Sequence, residues 1–149
     1  MRSGGMKADS SVMFSTWRTG AFGIMILLWA CGGVRTPAPA LFPSVAAESW
    51  KLKESVVQPV SSAPENVRRL GLKRAERAIY EGEGTITVDV YELTTSAGGL
   101  ELVQTWRPAA DTVFFYKETY FAVVKWERAG KPAVTAFVRD LEKRLGERR

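Results

Sequence analysis

The sequence predicts an α+β domain: an antiparallel sheet of about four to six strands with an amphipathic C-terminal helix packed on one face. Three observations predict it. Residues 85–93, TITVDVYEL, alternate with period two; residues 111–126 hold two aromatic and β-branched runs around a polar turn; residues 133–145 carry apolar side chains at helical spacing. An apolar run at residues 20–31 predicts that a signal-peptide helix and a flexible tether precede the domain.

Residues 1–15 are polar and Ser-rich, with Arg2 and Lys7, and show no apolar period. Met13 would open a tidier leader, MFSTWR before the apolar run. That run, GAFGIMILLWAC, follows Arg18 and ends on the only cysteine of the chain. About a dozen apolar residues are few for a bilayer-spanning helix, which needs roughly 20. A basic residue ahead of it and the small Ala30 at the cut make it the core of a secretory signal peptide. Leu28-Trp29-Ala30-Cys31 has the form of a bacterial lipobox: aliphatic at minus three, small at minus one, then the cysteine that takes the lipid. The alternatives are an uncleaved single-pass anchor and a core helix with a buried thiol. On the lipobox reading residues 1–30 are the signal peptide, 31–40 the lipidated cysteine and tether, and 41–149 one α+β domain. The tether, rich in Pro, Gly and Ala, cannot build a core. It reaches at most about 30 Å, so the domain is expected close to the membrane.

From Leu41 the composition turns globular. Residues 49–57, SWKLKESVV, alternate Trp50 and Leu52 against Lys51 and Lys53 until Glu54 breaks the pattern, and read as a half-buried strand. Residues 58–64 are a loop, and Pro64 suits the start of a short helix over 63–70. Residues 70–80 fit helix or strand. The turn Glu81-Gly82-Glu83-Gly84 and the strand after it favour a hairpin, so at least residues 75–80 are expected extended. On 85–93, Ile86, Val88 and Val90 face one way; Thr85, Thr87, Asp89 and Tyr91 face the other, with Asp89 expected in solvent. Residues 94–99, TTSAGG, have turn chemistry. Residues 100–107, LELVQTWR, alternate Leu100, Leu102, Gln104 and Trp106 on one face and read as a further strand. The runs 111–117 and 119–126 are apolar on both faces, which predicts two strands central to the sheet and covered on both sides or by a helix. Val134, Phe137, Val138, Leu141 and Leu145 form the stripe of the closing helix, with Gly146 its stop.

These elements resemble bacterial envelope lipoproteins carrying an uncharacterised α+β domain of unknown function. The resemblance lies in Trp50 on an early strand, the approach Leu70-Gly71-Leu72, Tyr80 and the turn before TITVDVYEL, the strand KETYFAVVKW and the helix over 133–145, and covers roughly residues 41–145. The loop over 58–65 is shorter than in that family. The resemblance implies an exported, lipid-anchored location in the cell envelope and carries no catalytic residues.

The charge pattern narrows the function. The chain has 21 basic and 16 acidic residues; without Arg2, Lys7, Arg18 and Asp9 of the leader, 18 and 15 remain. Both signs are interspersed and no nucleic-acid motif is present, so no nucleic-acid partner is expected. There is no histidine, which removes the common general base and the usual zinc sets. Lipidation would consume the one thiol, and no phosphate-binding Gly-rich loop is present. Glu81, Glu83, Asp89 and Glu92 are the carboxylates that would have to pair for acid–base work, and each reads as surface. No metal, cofactor or catalytic residue is therefore expected. Among the aromatics Tyr91, Trp106, Tyr116, Tyr120 and Trp126, most are needed for a core. Tyr91 shares a face with Thr87 and Asp89, and those three form the candidate contact for a partner or ligand. The expectation is a non-enzymatic interaction or assembly module, held to the membrane through a lipid on Cys31 and meeting an envelope protein partner. The alternative is a small-ligand binding or sensor domain of the envelope. A pocket with convergent polar groups would favour the second; a solid core with an exposed apolar patch would favour the first.

Overall fold

The computed structural model describes residues 40–107 and 109–148. Leu28, Trp29, Ala30 and Cys31, with all of the tether except Ala40, lie outside them. The elements in order are β1 (Val45–Ala46), β2 (Trp50–Gln58), a 3-10 turn (Val60–Ser62), α1 (Glu65–Arg69), β3 (Leu72–Glu81), β4 (Thr85–Leu93), α2 (Ser96–Thr105), β5 (Thr112–Lys117), β6 (Tyr120–Glu127) and α3 (Lys131–Gly146). The six strands form one antiparallel sheet in the order β1-β2-β3-β4-β6-β5. This is the α+β architecture the alternation implied, with the C-terminal helix on the sheet.

The first four strands run as a meander. Tyr80 pairs with Ile86 and Ala78 with Val88 across the β3–β4 hairpin, so the apolar set of both strands points to one face. Glu54, where the alternation of β2 fails, marks a register shift: Leu52 pairs with Tyr80 and Glu54 with Ile79, leaving Lys53 as the extra residue of a bulge. β6 then returns beside β4, Val124 opposite Val88 and Ala122 opposite Val90.

α3 covers that face. Val134, Phe137, Leu141 and Leu145 are buried on it. Phe137 meets the edges of Trp50 (6.2 Å, 79°) and Tyr80 (5.1 Å, 68°). Such pairs add roughly 0.5–1.5 kcal/mol each beyond area burial. Leu41 and Phe42, at the start of the globular composition, are buried in the same core.

The opposite face is covered as well, by a helix that the sequence reading missed. Residues 94–99 and 100–107, expected as a turn and a strand, instead form the cap and body of α2. Thr95 is the N-cap, its hydroxyl accepting from the Gly98 amide at 3.4 Å. Gly98 and Gly99 disfavour a helix by roughly 1 kcal/mol each, but both are buried beneath neighbours. A Cβ on Gly99 would lie 2.9 Å from Cβ of Tyr116, and one on Gly98 would lie 3.3 Å from the Leu93 side chain. The glycines let α2 lie close to the sheet, and Leu102 then fills a second core with Val67, Leu93, Phe121 and Val123. Only β6 of the late hairpin is central; β5 is an edge strand. Its two-sided apolarity has the same cause, since Phe114 packs into the α2 core while Val113 and Phe115 pack against the α3 core.

Gly99→Ala tests the close approach. On a free helix it would stabilise by about 1 kcal/mol; here the clash with Tyr116 should destabilise the fold by about 1–3 kcal/mol. Denaturant unfolding reads the sign, and a gain in stability would show that α2 does not sit so near β5.

Candidate functional site

Thr87, Asp89 and Tyr91 do share one face of β4, as alternation requires. That face is not open. Asp89 is 3 % exposed and Tyr91 5 %, so the expectation that Asp89 faces solvent is corrected. Tyr91 belongs to the core that Leu102 of α2 fills: Phe121 stands opposite it in register, and their rings stack at 6.4 Å and 21°. Asp89 lies opposite Arg77 on β3, whose Nε and Nη2 donate to its two carboxylate oxygens at 2.6 and 3.1 Å. The fork matches the carboxylate with two parallel bonds, the strong form of this pair. It also occupies both oxygens, so the carboxylate is a strut between β3 and β4. The Asp89 hydrogen bond holds the Arg77 guanidinium above its ordinary pKa, with burial opposing it.

The other carboxylates weighed in the sequence go separate ways. Glu81 pairs with Lys53 across the β2–β3 ladder. Glu83 accepts from the Gly130 amide at 2.9 Å, placing a negative charge at the N-terminal end of α3. No three metal-ligating side chains converge among the described residues.

Burial pushes the Tyr91 phenol up to about 12, with the Asp89 charge adding and Arg77 opposing. Tyr80 is also pushed up to about 12 by burial, Arg144 opposing and Asp140 adding. Its hydroxyl donates to the Pro43 carbonyl at 3.0 Å, tying the segment before β1 to β3. Trp50 Nε1 is buried and finds no hydrogen-bond partner among the described residues.

Among the described residues, two surfaces stand out where the cover of the sheet stops. The first is a groove of about 410 Å³ between the N-terminal half of α3 and the sheet. Val113 and Trp126 form its floor, Val134 and Val138 its wall, and Lys131 and Arg139 its rim. The second is the outer edge of β2. β1 pairs only with Trp50 and Lys51, and the Leu52 amide donates to Ser44 at 2.9 Å. From Lys53 to Gln58 the edge meets no strand among the described residues, and Val56 and Val57 are 43 % and 56 % exposed. Sequence reading missed both. The adjacent valines after the break at Glu54 signalled the edge; the stripe Lys131, Thr135, Arg139 beside Val134 and Val138 signalled the groove.

The chain matches no protein-family model, no curated protein and no solved structure. Among the described residues no helix is long and apolar enough to cross a membrane.

Arg77→Ala leaves the Asp89 carboxylate buried without its fork and should cost about 2–3 kcal/mol in denaturant unfolding. Arg77→Lys should recover only part of that, since an ammonium cannot make both bonds. The two tyrosines predict an alkaline transition. Each ionises near 10 in the unfolded chain and near 12 in the fold, so the unfolded chain loses its proton first. Their contribution to stability is whole below pH 10 and falls as pH rises toward 12, by about 1.4 kcal/mol per pH unit for each ring. Tyr91→Phe should flatten this decline in unfolding midpoints measured across the window, and an unchanged slope would count against a buried phenol.

Proposed function

We propose that this chain is a lipid-tethered envelope protein, anchored through Cys31, that works without catalysis by accepting an extended segment of a partner protein along β2. The observation that carries the contact is the unguarded half of that edge. Sheet edges are commonly protected by lysines, bulges and prolines. Lys51, Lys53 and the bulge guard the first half of β2, and Pro59 closes its end. Between them, residues 55–58, SVVQ, present open backbone groups and two exposed valines. A partner strand would satisfy those groups and cover Val56 and Val57, the usual logic of strand addition. The lipobox and short tether support the location, since they would hold this edge near a membrane where other anchored proteins can reach it.

The test has two parts. Intact mass of the membrane fraction should show a mature chain beginning at Cys31 with added acyl mass, absent in Cys31→Ser. A photo-crosslinking residue at Val57 should capture a defined envelope protein in the producing cell, and Val56→Lys should abolish the product. Val56→Lys is an exposed substitution and should change stability by no more than about 0.5 kcal/mol. An unmodified chain keeping residues 1–30 would overturn the tether, and a crosslink insensitive to Val56→Lys would overturn strand addition.

A further inference from the structure

We infer that the groove under α3 is a binding site for a single-chain anionic amphiphile, a free fatty carboxylate, distinct from the protein contact on β2. The groove exists because α3 covers the sheet unevenly. Phe137, Leu141 and Leu145 bury one side of its apolar stripe in the core with Trp50 and Tyr80. On the other side the shorter Val134 and Val138 leave a space above Val113 and the half-buried Trp126. The volume, about 410 Å³, lies within the range of small-molecule sites, roughly 300–1,000 Å³.

The chemistry of the walls selects the ligand. Apolar side chains make up the floor and inner wall, so each methylene withdrawn from water contributes about 0.8 kcal/mol. The floor is the face of the β5–β6 ladder, whose facing backbone groups are spent on pairing. A peptide laid there would bury amides without partners, at roughly 1–3 kcal/mol each; an alkyl chain has none to bury. Lys131, Thr135 and Arg139 recur every four residues along the open rim of α3, so the two cations stand about 12 Å apart along the helix. No carboxylate lines the groove, and neither cation enters an ion pair among the described residues. Glu83 already occupies the amide of Gly130 at the helix end. An incoming carboxylate therefore meets the side chains of Lys131 or Arg139, while the Thr135 hydroxyl between them is spent on the Lys131 carbonyl at 2.8 Å.

Trp126 supplies the readout. Dodecanoate brominated along its chain is titrated into the full-length protein while tryptophan fluorescence is followed. Saturable quenching is expected, and Trp126→Phe should remove most of it, which separates groove binding from contact with Trp17 or Trp29 of the leader. Lys131→Gln combined with Arg139→Gln should weaken binding about tenfold with the fold intact by circular dichroism. Thr135→Phe, placed on the exposed rim without adding a tryptophan to the readout, should block it. Equal quenching by a brominated alkyl trimethylammonium would overturn the assignment of charge. Quenching that survives Trp126→Phe would overturn the site. Quenching by brominated anionic phospholipid vesicles with none by the free acid would overturn the ligand in favour of a membrane surface.

Discussion

β4 is the strand on which the rest of the chain depends. It pairs on both sides, with β3 and β6, and Ile86, Val88 and Leu93 are wholly buried. A strand apolar on both faces cannot leave either face in water, so it demands a layer above and a layer below. α3 supplies one and α2, with α1, the other. The close approach at Gly99, the rings around Phe121 and the aromatic contacts of Phe137 are all consequences of covering this strand twice.

The cover is complete on the α3 side of β4 and partial on the other. α1 and α2 seal the end that holds Leu93 and Tyr91, while Asp89, Thr87 and Lys125 continue the same face away from that core. A carboxylate buried at such a boundary needs a hydrogen-bonding partner in place of water. Arg77, directly across the ladder and still partly in solvent, resolves this by bringing a hydrated charge to it. The pair therefore marks where one core ends, and its geometry suits a structural strut better than a catalytic carboxylate.

The two surfaces assigned to binding arise from the same accounting of cover. The sheet ends at β2 before β1 can pair along its full length, and α3 carries small side chains where it crosses β6 and β5. One defect exposes backbone groups and invites a strand; the other exposes only side chains and invites an alkyl chain. That difference in exposed chemistry is why a partner strand is proposed for the one and an alkyl chain for the other.

Local pattern was enough for the elements whose period matches their surroundings. TITVDVYEL, the hairpins around residues 81–84 and 117–119, the break at Glu54 and the stripe of α3 could all be read directly, because each side chain there points where its spacing sends it. Residues 94–107 could not. Glycines that weaken a helix in isolation are what α2 needs to approach Tyr116, and Leu100, Leu102, Gln104 and Trp106 alternate only by accident of a short window. The burial of Asp89 and Tyr91, the edge position of β5, the groove and the open half of β2 depend on which elements lie across from which. A sequence states how a segment alternates, but what covers each face is settled by residues far along the chain, and there tertiary structure alone decided.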